Sequence, residues 1–220
     1  MAAWTWAAAR CRGTSHIQTG TRCQDAISST ATSDGVLISV LSDGAGSAEL
    51  GGQGASIEWI TMETPLGIVL VAATEKGLCF VEVGGSVGVL VDTLRQEFPA
   101  AAIAADPSPR LRPLADAARA VALAKDMPAD LPLDIRGTAF QWRVWRALTN
   151  IPRGETRTYS EVARAIGSPS SVRAVARACA TNPVALVVPC HRVIGADGGL
   201  RGYRWGVDVK RKPIETEKGR

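Results

Sequence analysis

The apolar residues of this chain change their spacing once, and that change sets the class of fold it can adopt. Between Ile57 and Val83 they fall in three short β-type runs, Ile57 to Met62, Gly67 to Ala73 and Leu78 to Val83. Turn signals at Pro65-Leu66-Gly67 and Glu75-Lys76-Gly77 separate the runs, a spacing that predicts an antiparallel meander. From about Asp134 the apolar positions recur instead at helical intervals, as in Phe140, Val144, Trp145 and Leu148. Strands first and helices afterwards is the pattern of an α+β protein.

Between those regions two helices are expected. Val87 to Glu97 places Val87, Leu90, Val91, Leu94 and Phe98 on one face before Pro99 stops it, and Arg112 to Ala124 precedes a connector marked by Pro128 and Pro132. In the later region Pro152 and Gly154 end the helix of Trp145. Thr158-Tyr159-Ser160-Glu161 then has the form of a capping box and opens a helix through Ile166. Gly167 closes it, and Ser168-Pro169 offers a cap and a first-turn proline for a further helix to about Ala180. Two short helices joined by so tight a turn suggest a helix-turn-helix. In the second, Val172, Val175, Ala176 and Cys179 would face inward, and Arg173, Ala174, Arg177 and Ala178 outward.

At 220 residues the chain can bury a core without a disulfide or metal staple. Its 5 cysteines include no CxxC pair, so free thiols are expected and a structural zinc site is not. No apolar run approaches the roughly 20 residues of a membrane span. Ala2 to Ala9 lacks a preceding basic region and is a poor secretory signal, so a cytoplasmic protein is expected, nucleoid-associated when bound to DNA. The net charge of +4 hides an asymmetry. Residues 134–220 carry sixteen Lys and Arg against seven Asp and Glu, whereas residues 1–133 carry nine against fourteen. The basic half is the candidate polyanion surface. Arg173 and Arg177 on their own would read as a solvated helix face; within this basic segment they read as groove contacts, with small alanines allowing close approach.

The sharpest chemical feature runs from Leu186 to Ile194, where an apolar strand is expected to deliver Cys190 at a turn fixed by Pro189, with His191 and Arg192 next in sequence. A free thiol is only a few per cent ionised at neutral pH. His191 can accept its proton directly or through water, and Arg192 adds positive potential if it points inward. The plainer reading is a buried structural cysteine beside an incidental histidine. Tyr159 and Tyr203, the two tyrosines of the chain, both lie in the basic zone near turns, where they can be core residues or base contacts.

These stretches carry a resemblance. Leu131 to Gln141, Ile151 to Thr156, Tyr159 to Ala163, Pro189 to Val193 and Gly202-Tyr203-Arg204-Trp205-Gly206 occur in the order and spacing of the O6-alkylguanine-DNA alkyltransferase family. Residues 57–220 are similar above all to the carboxy-terminal half of the bacterial Ada protein. The resemblance implies an RNase-H-like α/β subdomain over 57–133 and a mainly helical, winged helix-turn-helix subdomain over 134–220, preceded by an irregular extension over 1–56. It implies a monomer that binds double-stranded DNA containing alkylated guanine through the minor groove and flips the lesion into a pocket. There the alkyl group of O6-alkylguanine, and by extension O4-alkylthymine, passes to Cys190 in a single irreversible turnover that needs no metal or organic cofactor.

By the same resemblance Cys190 is the acceptor, His191 the base acting through a water, and Asn182 the support of the active-site turn. Tyr159 protonates or hydrogen-bonds the leaving guanine, Tyr203 and Val187 line the pocket, and the backbone amide of Arg204 meets the guanine oxygen. Arg173 fills the gap left by the flipped nucleotide, with Ala174, Arg177 and Thr181 as further DNA contacts. The orienting glutamate falls at Glu217 on a terminal helix. Pro213 within that stretch is expected to break or restart the helix, which would leave Glu215 as a substitute. A rival reading is a non-catalytic module that recognises alkylated DNA; the presence of Cys190 favours transfer.

Gly13, Ser15-His16, Cys23 to Ala26 and Ser42 to Ser47 resemble the opening of the metal-dependent protein phosphatase family, in which Asp25 and Asp43 would help hold Mn²⁺ or Mg²⁺. The later acidic ligands of that family have no room before Ile57, so a fused fragment is expected here, with a surface or structural role for His16 and no metal site.

Overall fold

The computed structural model describes residues 55–105, 108–123, 125, 131–201, 203–204 and 206–219. The apolar run Val36 to Leu41, which reads in sequence as one strand between Asp-Gly turns, and Asp25 and Asp43 lie outside them. The meander is present as β1 (Ser56–Thr64), β2 (Gly67–Thr74) and β3 (Gly77–Gly84), with β1 antiparallel to β2 and β2 to β3. A short strand not expected from the sequence, β4 (Ala102–Ala105), pairs in parallel with β1 and gives the order β3-β2-β1-β4. Apart from Ile103 it is all alanine, so it carries no alternation of apolar and polar residues to betray it.

The sheet is covered on both sides. Helix α1 (Val87–Glu97) lays Leu90, Val91 and Leu94 against Leu70, Ala72, Cys79 and Phe80. Helix α2 (Leu111–Ala122) packs Leu111, Leu114, Ala115 and Ala118 in the cluster that holds Val69, Val71 and Val81 on the opposite face. Burial on both faces explains why β2 and β3 read as nearly continuous apolar runs. The second cluster runs on without interruption through Val144, Trp145, Val175 and Val187 to Cys190, so the sheet core and the helical core are one body of packing.

The free edge of β3 anchors two later segments of the chain. Gly77 has φ 150°, and a Cβ there would lie 2.5 Å from the Pro132 carbonyl oxygen. Glycine therefore admits the connector, whose Pro132 carbonyl accepts from the Leu78 amide at 2.9 Å, while Asp134 N–H donates to Leu78 at 2.7 Å. Farther along the same edge, Val81 donates to Pro183 and accepts from Ala185, each at 2.9 Å. Two segments distant in sequence are thus hung on one strand.

The helical part comprises α3 (Ala139–Thr149), α4 (Tyr159–Ala165), α5 (Val172–Ala180) and α6 (Val207–Glu217). Capping boxes open α3 through Thr138 and Gln141 and α4 through Thr158 and Glu161, the latter as expected. A two-residue parallel pair, β5 (Arg157–Thr158) with β6 (Val193–Ile194), joins the entry of α4 to the segment just after Cys190.

Four expectations need correction. The segment before Cys190 is not a strand: Val184 makes a single bridge to Val81, Leu186 turns back with φ 69°, and Cys190–Arg192 form a 3-10 turn. The β3 edge captures the backbone at residues 183–185, so it cannot continue extended. Helix α5 starts at Val172 with Ser171 as N-cap, because Ser168 closes a turn by accepting from the Ser171 amide at 2.9 Å. Ala178 is buried rather than outward, its carbonyl accepting from Trp145 Nε1 at 2.8 Å. Helix α6 runs unbroken through Pro213, whose ring is buried there. A proline forfeits one helical hydrogen bond, and the packing on both sides of it holds the remaining turns in register.

Candidate active site

Asn182, directly after the α5 C-cap and wholly buried, builds the turn that carries Cys190. Its Nδ2 donates to the Val188 carbonyl at 2.8 Å and to Cys190 Sγ at 3.2 Å, and its Oδ1 accepts from the Val184 amide at 3.1 Å. One amide thereby satisfies both ends of the turn, and Cys190 is left only 1% exposed. Burial pushes the Cys190 thiol above its usual range, opposed by hydrogen bonding from Asn182 and Tyr203 and by the charge of Lys210.

His191 and Arg192 come next on the 3-10 turn and converge on Glu217. His191 Nε2 lies 2.9 Å from Glu217 Oε1. Arg192 Nε donates to the two Glu217 oxygens at 3.2 and 3.0 Å, its second amine reaches Oε1 at 2.8 Å, and its first donates to the Ile151 carbonyl at 2.7 Å. The Gly154 amide, in a turn with φ 77°, completes the cage at 3.1 Å from Oε2. Burial alone would raise the Glu217 carboxyl; the hydrogen bonds from His191 and Arg192 outweigh it and lower the pKa to about 2. Burial lowers the His191 pKa against the pull of Glu217, so the ring is neutral. Among the described residues its Nδ1 makes no hydrogen bond. Glu217, not Glu215, is thus the carboxylate in contact with His191, and Arg192 pairs with that glutamate.

A second buried group has no counterpart among the residues expected from the sequence. Lys210 is 0% exposed, and its Nζ donates to the Tyr159 hydroxyl at 3.3 Å and to the Arg201 carbonyl at 3.2 Å. The ammonium also lies 5.5 Å from the Tyr159 ring centre and 5.7 Å from that of Tyr203. Tyr159 in turn donates to the Arg201 carbonyl at 3.0 Å, and burial raises its pKa to about 12. Burial lowers the Lys210 pKa. The signal that could have found it is its position seven residues before Glu217, two turns away on one helix face.

A cavity of about 400 Å³ opens beside this network, lined by Tyr159, Ser160, Val172, Ala196, Asp197 and Arg201 among others. Cys190 is not in its wall; Tyr159 is shared between the cavity and the Lys210 cluster. Val187 is buried in the cluster that holds Cys190. Arg173, Ala174 and Arg177 are exposed along α5, and neither arginine is in an ion pair among the described residues. The Thr181 hydroxyl is engaged with the Arg177 carbonyl at 3.0 Å and with Gln141 Nε2 at 2.9 Å. Tyr203 and Arg204 are described, whereas Gly202 and Trp205 of the same motif are not.

Comparison with known proteins bears on this arrangement. The family model of the 6-O-methylguanine DNA methyltransferase DNA binding domain matches residues 139–219, which include every residue of the site. The methylated-DNA–protein-cysteine methyltransferase of Methanosarcina barkeri is 42% identical over 157 residues, 71% of this chain and 94% of that protein. The chain belongs to the methylated-DNA–protein-cysteine methyltransferase family. The bifunctional transcriptional activator/DNA repair enzyme Ada of Escherichia coli is 45% identical over 170 residues, 76% of this chain. The chain spans about half of Ada's length, 47%. The crystal structure of Mycobacterium tuberculosis O6-methylguanine methyltransferase matches with a TM-score of 0.60 at 36% identity, covering 74% of this methyltransferase-family chain and 94% of that one. A complex of the M. tuberculosis protein with DNA matches equally well, with a TM-score of 0.60. A protein phosphatase 2C model matches residues 12–64, ending within β1. No helix among the described residues is long and apolar enough to cross a membrane.

Proposed function

We propose that this chain repairs DNA by moving the alkyl group of O6-alkylguanine, and of O4-alkylthymine, irreversibly to Cys190. The observation that carries this reading is the single buried assembly in which Asn182 grips Cys190 while Glu217 grips the adjacent His191. A glutamate that accepts from Nε2 fixes the tautomer with Nδ1 unprotonated, and a neutral imidazole is the form that can take a proton. The Cys190 proton passes to His191 through a bridging water. The sulfur attacks the alkyl carbon, the S–C bond forms as the C–O bond breaks, and the electron pair leaves with the base oxygen. Tyr159 hydrogen-bonds or protonates the departing guanine, its proton redirected from the Arg201 carbonyl, with Lys210 supplying positive charge behind it. The thioether has no route back to thiol, so one chain reacts once.

Around this centre Tyr203 and Val187 form pocket walls, and the Arg204 backbone amide meets the guanine oxygen. Arg173 on α5 replaces the flipped nucleotide, with Ala174, Arg177 and Thr181 beside it on duplex DNA entered from the minor groove. The sheet half is read as RNase-H-like over 57–133 and the helical half as a winged helix-turn-helix over 134–220. Because Cys190 is almost fully buried, an extruded purine reaches it only after the residues over the sulfur move. The test is intact mass after incubation with duplex DNA containing O6-methylguanine. One methylene unit gained per chain, mapped to Cys190 and absent in Cys190→Ser, is expected. Tight binding to the lesion without mass gain would instead identify a recognition module.

A further inference from the structure

Of the ion pairs among the described residues, Glu97 with Arg204 joins the parts most distant in sequence, 107 residues apart. Glu97 is the last residue of α1, on the sheet half. Arg204 sits in the turn closed by the Gly206 amide on the Tyr203 carbonyl at 3.0 Å, just before α6. The Arg204 amine donates to Glu97 Oε2 at 3.1 Å, and the side chains are only 27% and 31% exposed. A partly shielded pair resists salt better than a fully exposed one.

What this turn carries makes the pair consequential. The Arg201 carbonyl at its start is held by Tyr159 and Lys210, and the Tyr203 hydroxyl acts on the Cys190 thiol. The upstream end is therefore pinned by buried groups and the downstream end by α6. Between them, the Arg204 guanidinium reaches across to the sheet half. We propose that Glu97 is a positioning residue for alkyl transfer: by holding Arg204 it fixes the turn that Gly206 closes on Tyr203, and with it the Arg204 backbone N–H and the Tyr203 ring, against Cys190. This rests on the reading of Cys190 as acceptor. A backbone donor stabilises developing negative charge only when it is already in place, and misplacement of about 1 Å can cost a hundredfold.

The experiment compares Glu97→Ala, Arg204→Ala, the double variant, and the charge swap of Glu97→Arg with Arg204→Glu. Each single variant should slow the single-turnover rate on O6-methylguanine duplex about tenfold. The double variant should lose no more than either single one, and the swap should recover most of the rate. Full rates in the single variants, losses that multiply, or acceleration would each overturn the proposal. Hydrogen exchange at the Gly206 amide reads the clamp without any chemistry: it should quicken in Glu97→Ala, and unchanged exchange would refute the clamp even if wild-type protein takes no methyl group. Wild-type failure to gain mass, with exchange responding as expected, would reject the acceptor reading alone.

Discussion

At the scale of single residues, the site is a contest between burial and compensation around one sulfur. Burial opposes ionisation of Cys190, while Asn182, Tyr203 and the Lys210 ammonium favour it. Lys210→Met keeps the length and apolar stem but removes the charge and its donations to Tyr159 and Arg201. Without that charge burial raises the Cys190 pKa further, so transfer at neutral pH should slow several-fold and recover as pH is raised. A pH–rate profile measures this; a uniform loss at every pH would show that Lys210 acts through structure and not through charge. Cys190 and His191 are legible in the sequence as a thiol and an imidazole side by side after Pro189, whereas Asn182 and Glu217 are reached only through the family resemblance, because no local pattern links them to Cys190. Lys210 is legible in neither way, since a lysine reads as surface until packing shows that α6 turns it inward beneath Tyr159 and Tyr203.

Secondary-structure elements divide in the same way between local and imposed. The box at Thr158 and Glu161 is written in four residues, and the structure forms both of its hydrogen bonds. Thr158→Ala should remove the cap and cost about 1 kcal/mol in chemical denaturation. Because β5 and α4 meet at this residue, the same change should loosen the pairing of β5 with β6. A loss indistinguishable from zero would mean that β5 and β6 hold the helix start without the cap. By contrast, the turn from Asn182 to Cys190 reads as a strand in sequence, because Leu186-Val187-Val188 is as apolar and β-branched as any strand. Its shape comes from the edge of β3, about a hundred residues earlier, and from one asparagine amide; neither is visible in a local window. The continuity of α6 through Pro213 has the same origin, a local penalty outweighed by tertiary packing.

For the molecule as a whole, the link between α6 and the active-site turn makes stability depend on pH. Glu217 titrates at about 2 in the folded chain, against an ordinary glutamate value of 4.5. A carboxyl with a lowered folded pKa contributes stability that is fully present above about 4.5 and is lost as pH falls toward 2. His191 is also shifted downward, from 6.5. The unfolded chain therefore takes up a proton there first, and stability begins to fall below pH 6.5. Both losses fall on the acid side and strike one junction, where residues 190–192, the Gly154 turn and the end of α6 meet. Urea midpoints should decline from pH 7 to pH 5 through the histidine and more steeply from pH 4.5 downward through the glutamate. In Glu217→Gln the protein should be weaker at pH 7 by about 3 kcal/mol, since Arg192 is left with its charge partly buried and unpaired. That variant should then lose the lower step, and its curve should approach the wild-type one in acid. Parallel wild-type and variant curves down to pH 3 would show that the carboxylate does not lock the terminal helix to the acceptor turn.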